Sequence, residues 1–384
     1  MISSANSEVL PARARTQLLA ISGAMGFLMY GLGFSVPLLK HDMGISRAVA
    51  SIHNVGFALT ITLASFIIPR LIVRYSPREV MRAGWIISIA SLVMFAAGRS
   101  LWITLPAMAM AGIGATLFNN TNAVTIGQSD GLSIQVMLKL AGIGTAAGAT
   151  SPSIIGLLIR NGVSWRVTLA GCALILGTVA LKFLPAVPNR SPIRDKTDER
   201  HWDKTLFILV GFGFSATFLE VAIGSWALDL LISRGLVLSS AVVLVTVFSY
   251  GIAASRLSLS MTTRLGAAQM WTLSFVLTVT GLLIIILANS SSLTVLGLVV
   301  TAFGVGPLGA LALAVAAATK KGADAGVAAN VIGAGPAIGV GPWLMGWTSD
   351  AKGFSVAYTI PLAMLVVASL FFLAARSQDK SKMT

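Results

Sequence analysis

Few side chains that could do chemistry fall inside the long apolar stretches of this chain. Residues 205–232, TLFILVGFGFSATFLEVAIGSWALDLLI, carry one acid near the middle, Glu220. An ionised carboxylate at the centre of a bilayer costs about 2.5–3.5 kcal/mol even on lenient insertion scales. Glu220 must therefore be neutral, paired or facing a wet cavity, or else be a protonated group that only hydrogen-bonds a neighbouring helix. Asn119 and Asn122 stand one turn apart in FNNTN and share a face, with Asn120 about 100° away. Carboxamides donate and accept, which suits a hydroxyl-rich or zwitterionic solute and equally suits adhesion between helices. Tyr30 with Met29, and Trp226 about one and a half turns beyond Glu220, could form the walls of a cavity or simply pack. His53, with an ordinary pKa of about 6.5, could relay protons or close a polar contact near the interface.

The remaining charges read as anchors. Asp229 lies near the end of its stretch and is expected to reach water. Lys139 and Arg256 lie close enough to the other surface to snorkel. Neither is expected to partner Glu220, because the offset along the spans is about seven residues or more.

Positioning these groups falls to helices that cross a membrane. The chain has 384 residues, 56% hydrophobic and only 10% charged, whereas soluble domains carry about 25% charged residues. Apolar runs bounded by charges, Pro and Gly place spans near 17–39, 48–69, 80–98, 101–127, 134–159, 165–185, 205–232, 238–260, 268–288, 292–318, 324–348 and 354–375. Arg13 and Arg15 precede the first run as in a signal peptide, but the run is long and lacks a small-x-small cleavage site, so it is read as a retained span. Short loops leave no room for a soluble catalytic domain. The polar stretch 187–204, VPNRSPIRDKTDERHWDK, divides an N-terminal six-helix bundle, 1–186, from a C-terminal one, 205–384.

Net charge of +14 could suggest a nucleic-acid partner, but the basic residues are spread singly between apolar runs. Topology accounts for them. With both termini cytoplasmic, 20 of the 27 Lys and Arg residues fall inside and 7 outside, namely Lys40, Arg47, Arg99, Arg160, Arg166, Arg234 and Lys352. Adding or dropping one span would scramble that bias. Cys172 is the only cysteine and sits in an apolar run, which excludes an intrachain disulfide.

The halves repeat at an offset of about 190 positions. Arg74 falls on Arg264, and Gly112 and Gly114 fall near Gly304 and Gly306. SPSIIGLLIRNG from Ser151, set against GPWLMGWTSDAKG from Gly341, puts Pro152 on Pro342 and Gly156 on Gly346. A six-span offset keeps membrane direction, so the repeats are parallel and leave a seam between them. Glu220 maps onto Tyr30 across it.

With this pattern the chain resembles the major facilitator superfamily of secondary transporters over its whole length. The family motif G-x-L-a-D-R-x-G-R-R/K is matched by PRLIVRYSPREVM from Pro69, which keeps Leu71, Arg74 and Arg78. Pro69 and Ser76 replace glycines, and Val73 replaces the acid. LSMTTRLG from Leu259 is the second copy, with Arg264 and Gly266 kept and Thr263 at the acid position. The resemblance implies a gating role for Arg74, Arg78 and Arg264; ordinary charge anchoring is the other reading. Gly148, Ser151, Pro152 and Gly156 loosely resemble the fifth-span motif of the family's antiporters, and they also suit close packing.

These features together point to an all-α, twelve-span protein of the cell (inner) membrane, acting as a monomer. It is expected to move a small polar organic solute by proton-coupled symport, with Glu220 as the protonation site and no cofactor. A proton-antiport efflux pump is the alternative. An intramembrane enzyme would need paired acids, a metal set or a Ser with a base. His41, His53 and His201 are dispersed, and only one acid lies at mid-depth. A channel would show a filter or a charged ring, and no such segment is evident.

Overall fold

A computed structural model describes residues 10–130, 134–185, 203–262, 264–319 and 323–377. Among them, twelve helical spans are long and apolar enough to cross a membrane. Spans 1 to 6 are Ala12–Met43, Arg47–Ile68, Pro77–Ala97, Leu101–Asn122, Ala141–Arg160 and Trp165–Phe183. Spans 7 to 12 are Lys204–Ser225, Leu238–Ser260, Ala267–Leu287, Ser291–Ala317, Gly326–Lys352 and Phe354–Ser377. All twelve expected spans are present. The largest departures lie at span 5, whose apolar window starts at Ala141 inside a helix running from Ile134, and at span 7, which ends at Ser225, seven residues before the expected end; span 1 begins five residues early. Most of the dividing stretch 187–204 lies outside the described residues; span 7 starts at its last residue, Lys204.

An even number of spans puts both chain ends on one face, called proximal below; the other face is distal. Four spans in the second half are interrupted, span 12 at Tyr358 among them. Span 7 breaks at Trp226 and continues as Ala227–Ser233. Span 8 breaks at Val245. Span 10 breaks between Val305 and Leu308, where Pro307 has no N–H to give. The freed acceptor, the Phe303 carbonyl one turn back, takes a hydrogen bond from Ser255 Oγ on span 8 at 2.8 Å. A proline break at membrane depth is tolerated when a neighbouring helix satisfies the backbone in this way.

Packing follows the repeat residue by residue. A β-carbon on Gly114 would lie 2.8 Å from both Gly84 O and Ser88 N, so span 4 touches the backbone of span 3 there. On Gly304 it would lie 2.5 Å from Thr278 N and 2.9 Å from Ser274 O, each partner being about 190 positions further on. Small residues let membrane helices approach to backbone contact in this way. The turns between spans repeat too. Ser76 caps span 3 in a reciprocal box with Glu79, whose carboxylate accepts from Ser76 N at 2.9 Å, and Gln269 Oε1 accepts from Gly266 N at 3.0 Å at the start of span 9.

Across the seam, span 5 packs on span 8 and span 11 on span 2. A β-carbon on Gly156 would press on Val242 Cγ1 at 2.4 Å, and one on Gly346 would press on Arg47 and Ser51 at 3.1 Å. The Pro152/Pro342 and Gly156/Gly346 match therefore marks equivalent points of contact between the halves.

A Gly114→Ala or Gly304→Ala substitution drives a methyl into facing backbone. Each is expected to cost about 1–3 kcal/mol, read as a lower unfolding temperature in detergent. Gly33→Ala, which faces open space, should leave that temperature unchanged.

Candidate functional site

Five spans bring polar groups to one point on the seam. Glu220 lies about halfway between Lys204 and Ser233, at mid-depth. Its Oε2 accepts from Arg256 Nη2 of span 8 at 2.5 Å. The Arg256 Nε donates to the Gly306 carbonyl at the break in span 10, 2.7 Å away, and its Nη1 donates to Thr145 Oγ1 of span 5 at 2.6 Å. Tyr30 OH of span 1 also donates to Thr145 Oγ1, at 3.3 Å, and lies within electrostatic reach of both Glu220 and Arg256. Arg256 thus binds Thr145 of the first half and both Glu220 and Gly306 of its own half. Its side chain is 8% exposed and that of Glu220 19% exposed, so the acid is the more accessible partner.

Local sequence makes the room. A β-carbon on Gly148 would meet the Tyr30 ring at 2.6 Å, so only glycine lets that ring lie against span 5. A β-carbon on Gly309 would lie 3.9 Å from both Arg256 Nη2 and Glu220 Oε2, which leaves the pair uncovered on the span 10 side.

The ion pair corrects the expectation that Glu220 has no basic partner. Side chains in a helix lean toward its N-terminus. Span 7 starts at the proximal face and span 8 at the distal face, so Glu220 and Arg256 lean toward each other. That lean closes an offset of about seven residues, some 10 Å along the axes. Lys139, the other cation considered, is exposed.

A second ionic cluster lies on the distal face. Asp229 is 1% exposed and pairs with Lys40, with Arg47 Nε at 2.8 Å and with His41 Nε2 at 3.3 Å. Arg47 also bonds Asp350 Oδ1 at 2.7 Å, and its guanidinium lies 4.8 Å from the Phe354 ring centroid. Asp229 therefore does not reach water, as the sequence suggested; it locks the first half to the second. The short helix after the break at Trp226 turns its side chain into the seam.

A sequence profile of the Major Facilitator Superfamily matches residues 18–261. The chain belongs to this superfamily. Among solved structures of similar fold is the nucleoside transporter NupG in mutant form, with 13% identity, TM-score 0.70 and coverage of 95% of this chain and 99% of that one. A bacterial homolog of the human lysosomal transporter Spinster, inward-facing and occupied, has 15% identity, TM-score 0.68 and coverage of 95% and 96%. The human organic anion transporter MFSD10 (TETRAN) has 14% identity, TM-score 0.70 and coverage of 94% and 99%. Identity this low speaks to the fold alone. Comparison with curated proteins finds no match. Membership makes the protein a multi-pass membrane transporter.

The superfamily motif residues lie on the proximal face. Arg74 is exposed beside the Tyr75 ring, and Arg78 and Arg264 are exposed as well. Among the described residues no ion pair engages any of the three. Glu79, the acid nearest the motif, is taken up by the helix cap with Ser76. Other expected site residues lie elsewhere in this superfamily member. Trp226 is 1% exposed and donates Nε1 to the Pro342 carbonyl at 2.8 Å, so it packs within the second half instead of walling a cavity. His53 is fully buried in the first half, with Nε2 2.8 Å from Thr104 Oγ1 and Nδ1 2.9 Å from the Ala50 carbonyl. Asn122 donates to Ser22 Oγ at 3.1 Å, while Asn119 is exposed, so the two amides do not act together.

The structure thus unites Glu220 and Tyr30 as the repeat implied, and adds Arg256, Thr145 and Gly309. Arg256 carried a signal: it is the one basic residue inside SYGIAASRLSLS, with apolar or hydroxyl neighbours on both sides.

Removing the Asp229 charge should loosen the distal lock. With Cys172→Ser as background, a thiol placed by Ser51→Cys lies at a site fully buried against Pro342. Adding Asp229→Asn should speed its labelling by a membrane-impermeant maleimide several-fold, and an unchanged rate would mean that Asp229 does not hold that face shut.

Proposed function

We propose that the protein is a proton-coupled secondary transporter that moves a small polar organic solute by alternating access. In this reading bundles 1–186 and 205–384, joined by the linker 187–204, rock about the seam. The observation that carries it is the Glu220–Arg256 pair at mid-depth, tied through Thr145 and Tyr30 to the opposite half. Taking charges into low dielectric is costly, and removing one partner leaves the other uncompensated. A proton arriving on Glu220 breaks the pair, so the site's contacts across the seam depend on its protonation. A ligand that favours one arrangement of the halves shifts the balance between them.

The proximal face, with the two chain ends and 20 of the 27 basic residues, is taken as cytoplasmic. The distal lock then closes the outer side, and the site communicates with the inner one. Arg74, Arg78 and Arg264 stand on the inner side, where they would meet the opposite half when the transporter turns outward. The membrane is the cell membrane, and one chain suffices, since the seam lies within it. Symport and antiport use the same parts; the direction of solute flux under an imposed pH gradient distinguishes them.

Solute flux in right-side-out and inside-out vesicles, with and without a pH gradient, tests this reading. Glu220→Gln should abolish the dependence of flux on the gradient, a loss of tenfold or more in concentrative transport by about 1.4 kcal/mol per factor of ten. Gradient-driven flux that survives the change unaltered would remove Glu220 from coupling.

A further inference from the structure

We propose that the solute carried at this seam is an organic anion, whose carboxylate takes the place of Glu220 on Arg256 once Glu220 is protonated. The inference rests on the reading of Glu220 as the proton site and adds the chemistry of the cargo.

A guanidinium stays charged at any physiological pH and carries five N–H donors in a planar fork. Three are engaged, by the Gly306 carbonyl, Thr145 Oγ1 and Glu220 Oε2, and only the last acceptor bears charge. Among the described residues, the elements packed around the pair bring no second acid to it; Asp42 of span 1 is bonded to Trp165 and Arg166 at the distal end. Span 1 presents Tyr30, span 5 Thr145, and span 10 Gly306 and Gly309. Tyr30 and Arg256 are the titratable or charged groups that face Glu220. Asp229 belongs to the distal cluster with its own cations.

Protonating Glu220 therefore strands a positive charge deep in hydrocarbon. Such a charge needs a counterion, and an anion is the one solute that supplies it. An amine bound to ionised Glu220 would do the reverse, taking the carboxylate and leaving Arg256 unpaired. The exchange balances: a proton adds to the Glu220 carboxylate, the Oε2 to Nη2 ion pair breaks, and a substrate carboxylate pairs with Nη in its place. The site holds one positive and one negative charge before and after. Proton and anion then cross together without net charge. The open flank at Gly309 and the partial exposure of Glu220 give the anion its approach, and Tyr30 OH can turn to donate to its second oxygen.

Purified full-length protein in detergent can be melted with three solute pools near pH 5.5 and near pH 7.5. The carboxylate pool holds lactate, succinate and benzoate; the amide pool holds lactamide, succinamide and benzamide; the amine pool holds ethanolamine, putrescine and benzylamine. We expect the carboxylate pool alone to raise the melting temperature, with a half-saturating concentration about fivefold or more lower at the acid pH. Glu220→Gln leaves Arg256 free and should bind carboxylates equally at both pH values. Arg256→Gln should lose the stabilisation, and Arg256→Lys should keep it in weakened form. Stabilisation by the amide or amine pool without the carboxylate pool, or by no pool, overturns the anion assignment. Carboxylate binding that ignores pH in the unaltered protein keeps the anion and removes the proton linkage, so the two readings fail separately.

Discussion

A charge cannot be left alone in hydrocarbon, and this constraint organises the middle of the molecule. Arg256 is carried into the apolar layer by a span that would otherwise be unremarkable, and every acceptor it needs is built by something nearby. The Pro307 break leaves span 10 with the Gly306 carbonyl turned to span 8. Thr145 comes from the other half. Glu220 supplies the one negative charge. Because two of these three acceptors can be satisfied without Glu220, the acid is free to change its protonation while the arginine stays in place.

The two ionic clusters differ in kind. On the distal face Asp229 Oδ2 is held by Lys40 and Arg47 from the first half, and the carboxylate is sealed from solvent. At mid-depth the pair has one charge on each side, lies within one half, and touches the other through neutral hydroxyls. A lock of several bonds resists opening until they break together, whereas a single pair responds to one proton. Glycines at equivalent positions of the two halves fix the distance over which either can act. Span 5 meets span 8 at Gly156, and span 11 meets span 2 at Gly346, at equivalent points of the repeat.

Span count, repeat offset and the seam position of Glu220 and Tyr30 were legible in the sequence because they rest on length, charge bias and periodicity, which survive folding. The offset proved strong enough to superimpose packing partners: Gly114 on Ser88 and Gly304 on Thr278. What counting residues along a helix axis could not convey was the lean of side chains. Arg256 looked like an inner anchor and Asp229 like an outer one, and both turned inward to partners on other spans. Trp226 and His53 were drawn toward the cavity by chemical type alone. Each has a buried acceptor within its own half, at Pro342 and Ala50, that only tertiary structure reveals.

Pairing between Glu220 and Arg256 is the claim on which the remainder stands, and a double-mutant cycle on unfolding in detergent measures it without reference to any solute. Glu220→Gln and Arg256→Gln each leave one charge stranded, so the double substitution should be less destabilising than the two single losses added together, with a coupling above about 0.5 kcal/mol. Losses that simply add would show that the two side chains do not meet, and would contradict the account.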